Sequence, residues 1–295
     1  MKILVIGADG QLGTDLAKVV PKNEFVGLTI KDIDITDKAR CLHVIKQHSP
    51  DVVINTAAYH HVDKCEDNEA PAFEVNTYGP KYLAQACKAV DCALVHISTD
   101  YVFDGKKGKP YVETDAPNPE SIYAISKYAG EQCVKYILDK HFIVRSTGLF
   151  GTAGCLGKGG GNFVEGMIKR SQTQPELKVV TDEMLSPTYS LDLAGNINEL
   201  CRTGKYGTYH MVSHGHCSWY EFALEIFKQL GRQIKINEAK AADFKPQARR
   251  PKFSALDNAN LKKIGLDLMR PWQDALKAYL IEKGHLPAGQ AGLKT

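Results

Sequence analysis

Through the first half of the chain, short uninterrupted apolar runs alternate with longer stretches of helical period. Residues 2–6 form the first run, which a glycine turn ends, and a helical stretch follows through residue 20. Residues 25–29 read as a second strand and 39–48 as a helix. Residues 52–55, entered through Pro50-Asp51, read as a third strand. Helical spacing over 70–90 leads to a fourth strand at 93–98, and a helix over 126–138 leads to a fifth at 142–145. Strands that are apolar throughout are buried on both faces, and repeated βα units lay such strands parallel in one covered sheet. The pattern predicts an α/β fold, doubly wound, whose ligands sit beyond the carboxyl ends of the strands.

The rhythm stops near residue 150. Residues 151–161 hold six glycines in eleven positions, which reads as a loop. Helical spacing returns over 163–172, 190–202, 219–230 and 271–282, with short strands at 178–181 and 208–212 between. This predicts a Rossmann-type dinucleotide domain at 1–150 and a smaller, mainly substrate-binding lobe at 151–295. A segment at about 186–212 is expected to return to the sheet, and the tail from 288 to fray.

Composition narrows the function classes. Of 295 residues, 43% are hydrophobic and 24% charged, which excludes a fibrous or disordered chain. Lys and Arg total 37 against 34 acidic residues, a net +3, so nothing argues for a nucleic-acid partner. No apolar run approaches the roughly 18 residues of a membrane span. The opening run is cut by Gly7-Ala8-Asp9-Gly10, too early for a signal peptide, and a cytosolic location is expected. The eight cysteines (41, 65, 87, 92, 133, 155, 201 and 217) form no C-x-x-C pair or zinc framework. They read as reduced thiols, mostly in the core, with Cys155 exposed on the glycine loop. His60, His61, His210, His214 and His216 have no companion spacing that closes a tetrahedral site, so they read as loop histidines and no metal is expected.

Gly7-Ala8-Asp9-Gly10-Gln11-Leu12-Gly13 joins the first strand to the first helix. Glycines let the backbone bend toward a pyrophosphate, while the helix N-terminus offers free N–H groups. The spacing is one residue wider than G-x-G-x-x-G, and a purely structural turn is the alternative. Gly7, Gly10, Gln11, Leu12 and Gly13 are therefore candidate cofactor contacts. The second strand ends Leu28-Thr29-Ile30-Lys31 without the acid that grips a ribose 2′-hydroxyl. Lys31 favours a 2′-phosphate, hence NADPH, with NADH the alternative. Asp34 and Ile35 lie where the adenine would pass. Ala57, Ala58 and Tyr59, after the third strand, leave room for the nicotinamide ribose.

The fourth strand ends at Ser98-Thr99-Asp100-Tyr101, and Tyr123 stands four residues before Lys127. At that spacing two side chains share a helix face. An ammonium beside a phenol stabilises the phenolate, which suits Tyr123 to exchange a proton with a carbonyl or alcohol oxygen. Thr99 would add a hydrogen bond to that oxygen. An exposed helix pair is the alternative, which the glycine turn and the order of motifs along the chain disfavour.

On these motifs the chain resembles the extended short-chain dehydrogenase/reductases that act on nucleotide sugars. The likeness includes Gly7 to Gly13, Val62-Asp63-Lys64, Ser98-Thr99-Asp100-Tyr101-Val102-Phe103, Tyr123 with Lys127, Gly161-Asn162-Phe163, Trp219-Tyr220 and Ala248-Arg249-Arg250-Pro251. The resemblance implies NAD(P)H-dependent reduction of a nucleotide-bound 4-keto sugar, dTDP-4-dehydro-L-rhamnose to dTDP-L-rhamnose. By it, Tyr123 donates the proton, Lys127 tunes Tyr123 and holds the nicotinamide ribose, and Thr99, Asp100, Asn162 and Arg249 serve the substrate. The implied partners are the nucleotide sugar and, as an open option, a second copy in a homodimer; no membrane is implied. A tryptophan that the family carries after the fifth strand is Gly148 here, which removes stacking area from the pocket. Arg249 and Arg250 suit a bidentate grip on a diphosphate. Trp219, at helical spacing with Phe222, Ile226 and Leu230, reads as core. An epimerase or dehydratase of the same fold and a non-catalytic NADP-binding regulatory subunit are the alternatives.

Overall fold

The computed structural model describes residues 1–154 and 160–288, so Cys155 and the tail beyond 288 lie outside the described residues. In chain order the first half runs β1 (Ile3–Ile6), α1 (Gln11–Val19), β2 (Phe25–Leu28), α2 (Lys38–His48) and β3 (Val52–Asn55). It continues with α3 (Val62–Asp67), α4 (Glu69–Phe73), α5 (Gly79–Val90), β4 (Ala93–Thr99), α6 (Ile122–Ile137) and β5 (His141–Ser146). The second half runs β6 (Leu149–Phe150), α7 (Phe163–Ser171), β7 (Glu176–Val180), β8 (Met184–Leu185), β9 (Thr188–Tyr189), α8 (Ser190–Leu200) and β10 (Gly207–His210). It ends with β11 (Cys217–Ser218), α9 (Trp219–Gln229), β12 (Lys235–Ala239), α10 (Ala259–Lys263) and α11 (Trp272–Glu282).

Six strands make one parallel sheet in the order β10-β5-β4-β3-β1-β2. Its apolar strands are covered on both sides. Leu12 and Leu16 of α1, with Leu193, Ala194, Ile197 and Leu200 of α8, pack on one face. Val44 and Ile45 of α2, Leu83 and Cys87 of α5 and Val134 of α6 pack on the other. α8 and β10 thus come from beyond residue 186, and β10 is the edge neighbour of β5. A third core, around Phe150, Phe222, Trp272 and Tyr279, holds the C-terminal elements together.

Two helices differ from expectation. The run over 70–90 is α4 and α5 joined by a π-turn at Glu74–Tyr78. There Asn76 is turned inward, accepting from the Tyr59 amide and donating to the Tyr59 carbonyl, each at 2.9 Å, while Thr77 donates to Ser126 O at 2.7 Å. Such bulges accompany functional sites, where a local requirement displaces the regular ladder. The helix expected from 126 begins at Ile122, because the Ser121 hydroxyl accepts from Ala124 N and caps it there. His210 lies in β10 and is fully buried rather than on a loop. Among the described residues, no helix is long and apolar enough to cross a membrane.

Candidate active site

The turn after β1 is shaped by its glycines. Gly7 has φ +81°, and a Cβ there would lie 2.6 Å from Thr56 Oγ1. A Cβ on Gly13 would lie 2.2 Å from Gly7 O and 2.6 Å from Ala8 Cα, so only glycine lets α1 lie this close to the turn. The amides of Gly7 and Ala8 both donate to Leu28 O, tying the turn to the end of β2. At the N-cap of α1, Gly10 supplies no side-chain acceptor, which leaves the first amides of the helix turned to the cavity end for an anion. Gln11 Oε1 is buried without a hydrogen-bond partner among the described residues. The turn is therefore a cradle that fits a dinucleotide pyrophosphate.

After β2, Asp32 folds back to accept from Thr29 N (2.8 Å) and Thr29 Oγ1 (3.0 Å), bonds that hold its carboxyl below the ordinary range. Asp32 is absent from the cavity wall, which Ile30, Ile33, Asp34 and Ile35 line instead; Lys31 stands exposed beside them.

A cavity of about 600 Å³ runs from this turn, past the ends of β3, β4 and β5, to the C-terminal elements. It gathers most of the residues singled out in the sequence. Gly7, Gly10, Gln11, Leu12, Asp34, Ile35, Ala57 and Ala58 line one end, and Thr99, Asp100, Tyr123, Lys127 and Asn162 the other. Gly13 and Tyr59 do not line it. Gly13 is spent on helix packing, and the Tyr59 backbone is pinned by Asn76.

Tyr123 and Lys127 project from consecutive turns of α6. The Lys127 ammonium, 2% exposed, donates to Ile97 O at 2.6 Å; burial lowers its pKa to about 8 against the opposing pull of Glu131. Glu131, one turn further along α6, is also buried. It accepts two bonds from Arg145, Nε at 2.9 Å and Nη2 at 2.6 Å, and one from Ser98 Oγ at 2.5 Å. The Arg145 guanidinium lies over the Phe103 ring, 5.3 Å from its centroid. The Tyr123 ring meets Tyr101 edge-on at 6.0 Å, and burial beside Asp100 and Glu183 raises the Tyr101 phenol further above its usual range. Glu131 escaped the sequence reading, although its i+4 offset from Lys127 was there to be seen.

Asp100 behaves differently from expectation. Its carboxylate is engaged inside the protein: Oδ1 accepts from Thr99 Oγ1 (3.0 Å) and Oδ2 from Thr147 Oγ1 (2.7 Å). Burial raises its pKa from 3.8 to about 6, against these hydroxyl bonds. Between those values the folded protein holds a proton that the unfolded chain has released. The associated stability is complete below about pH 3.8 and is lost as pH rises through about 6. Asp100→Asn removes that titration. Its melting temperature relative to the unmodified protein should climb between pH 4 and pH 7 in thermal scans, and a flat difference would refute the assignment.

The C-terminal elements close the far wall with Phe163, Glu183, Met184, Leu185, Trp219, Pro251 and Ser254. Trp219 is thus a cavity residue as well as a packing one, because it is the first residue of α9 and is only partly covered by the core. Asn162 reaches the wall, but its side chain is spent inside the protein. Oδ1 caps α7 at Glu165 N (3.0 Å), and Nδ2 donates to Gly151 O (3.0 Å) and Tyr279 OH (3.1 Å). Arg249 is exposed and off the cavity wall, whereas its neighbours Ala248 and Arg250 are buried and half-buried. Arg250 pairs with Asp63 of α3 at 2.7 Å, and the same carboxylate accepts from Gln247 N (3.2 Å) and Ala248 N (3.0 Å). Two motifs distant in sequence, Val62-Asp63-Lys64 and Ala248-Arg249-Arg250-Pro251, are one clasp between the two halves of the chain.

Known proteins share this architecture. Residues 1–284 match the RmlD substrate binding domain family. The chain is 37% identical to the spore coat polysaccharide biosynthesis protein SpsK of Bacillus subtilis, over 96% of this chain and 98% of that one. A solved dTDP-4-dehydrorhamnose reductase of Clostridium acetobutylicum superposes with a TM-score of 0.90 at 41% identity, covering 95% of this chain and 98% of that one. A second, from Bacillus anthracis and solved in complex with NADP, gives 0.91 at 38% identity, covering 96% and 100%. The glycine cradle, the Tyr123/Lys127 pair and this match along nearly the whole length lead to one statement: the chain belongs to the RmlD substrate binding domain family.

Proposed function

We propose that this protein is an NADPH-dependent reductase of a nucleotide-diphosphate 4-keto sugar, converting dTDP-4-dehydro-L-rhamnose to dTDP-L-rhamnose. The observation that carries the reading is the meeting, in one cavity, of a dinucleotide cradle and the Tyr123/Lys127 pair. The names of the reductases from Clostridium acetobutylicum and Bacillus anthracis support the sugar, and the NADP complex of the latter supports the cofactor.

A bound NADPH supplies the hydride. Gly7, Gly10 and the uncapped amides of α1 hold its pyrophosphate, with Gln11, Leu12, Asp34, Ile35, Ala57 and Ala58 around the rest. Lys127, fixed by the Ile97 carbonyl, keeps a positive charge beside the ribose and the phenol of Tyr123. Tyr123 gives its proton to the 4-oxygen as the carbonyl becomes an alcohol. Thr99, at the end of β4, donates its hydroxyl proton to Asp100 in the substrate-free site and turns it to that oxygen when the sugar binds.

The test follows absorbance at 340 nm with dTDP-4-dehydrorhamnose. Turnover with NADPH is expected, with a lower Kd for NADPH than for NADH, since Asp32 after β2 is folded back on Thr29 and the exposed Lys31 stands beside it. NADPH binding without turnover on this or related keto-sugars would favour a regulatory subunit instead.

A further inference from the structure

We propose that Trp219, with Glu183 beside it on the cavity wall, reads the sugar: its indole carbons pack on the apolar side of a 6-deoxyhexose ring, and the Glu183 carboxylate accepts a sugar hydroxyl. This rests on the reductase reading above.

The wall after β5 has no side chain to offer. Gly148 lines the cavity with φ +56°, and a Cβ there would lie 2.5 Å from Leu185 Cδ1 and 3.3 Å from Pro187 Cα. Leu185 occupies the space that a larger residue at 148 would need. The aromatic surface comes from the other side, on α9.

Trp219 is held there on every side. It opens α9 directly after Ser218, whose hydroxyl accepts from Glu221 N at 3.1 Å, while Glu221 accepts from Ser218 N at 2.7 Å. Its ring lies against Phe163, 4.5 Å between centroids and tilted 39°. Glu183 lines the cavity beside it, near enough for the indole to draw its carboxyl down against the rise that burial causes. Glu183 is half-buried, with burial raising its carboxyl and Arg250 opposing that rise. With Met184 and Leu185 beside it, Glu183 sets a carboxylate in a mostly apolar stretch of the wall. A hexose lacking its 6-hydroxyl presents the matching pattern, ring C–H groups and a methyl next to hydroxyls.

The chain has two tryptophans, and the other, Trp272, is 6% exposed against Phe222. Trp272→Phe therefore isolates the emission of Trp219. With NADP⁺ saturating, dTDP-L-rhamnose should quench or shift that emission, whereas dTDP should bind and leave it unchanged. In the otherwise unmodified enzyme, Trp219→Ala should raise KM for the keto-sugar about 10- to 100-fold, and Glu183→Gln about tenfold, with NADPH Kd within about twofold. Trp219→Phe should recover part of the loss. Identical emission with dTDP and dTDP-L-rhamnose, or an unchanged KM in Trp219→Ala, would overturn the assignment. Failure of the unmodified protein to bind any dTDP-sugar would instead overturn the reductase reading beneath it.

Discussion

Tyr123→Phe is expected to lower kcat for keto-sugar reduction by about 10²- to 10⁴-fold, the range a positioned general acid supplies, while NADPH Kd stays within about twofold. The substitution deletes one oxygen and keeps the ring. The edge-on packing against Tyr101 at 6.0 Å is therefore preserved, and so is the start of α6 at the Ser121 cap. Lys127 keeps its bond to Ile97 O, so the ribose side of the site is unaltered. What is lost is the proton. Steady-state rates at 340 nm with a fluorescence titration of NADPH separate the two quantities. A fall in kcat of less than about tenfold would remove Tyr123 from the role of acid.

Arg145→Leu is expected to destabilise the protein by about 3–5 kcal/mol, the typical cost of leaving one partner of a buried ion pair uncompensated. Arg145 and Glu131 are 2% and 0% exposed and joined by two hydrogen bonds, so once the guanidinium is gone the buried carboxylate keeps only the Ser98 hydroxyl and the Lys135 ammonium at 3.8 Å. Leucine also forfeits the contact over Phe103. Pairing it with Glu131→Leu should recover much of the loss, since two apolar residues in place of a buried pair are often neutral. Urea unfolding of the single and double variants measures this directly. Equal destabilisation in both would mean that the cost lies in shape rather than charge.

The legible part of the fold was what local pattern encodes. Apolar strands, glycine turns and helical spacing placed β1 to β5 with their helices, and Gly7 to Gly13 at the mouth of α1. The motifs at Thr99, Tyr123 and Lys127 were legible because spacing on one helix and position at a strand end are local too. What escaped depends on contacts between distant segments. The π-turn follows from Asn76 reaching Tyr59, and nothing within 70–90 announces it. Which of Arg249 and Arg250 turns inward is decided by Asp63, nearly two hundred positions upstream. Asn162 came to the substrate by resemblance alone, and its bonds to Gly151 and Tyr279 belong to other elements that its own motif does not reveal. Trp219 read as core because helical spacing identifies a buried stripe but not where that stripe comes to the surface at a helix end.

The position of α8 and β10 carries a consequence for synthesis. A nascent chain that has emerged only to residue 150 has every βα unit of its first half, yet β5 still presents a bare edge and α1 lacks its cover. α8 supplies the cover about forty to fifty residues later, and β10 pairs with the edge some sixty residues later. The six-stranded sheet therefore cannot be completed before the second half of the chain has begun to emerge.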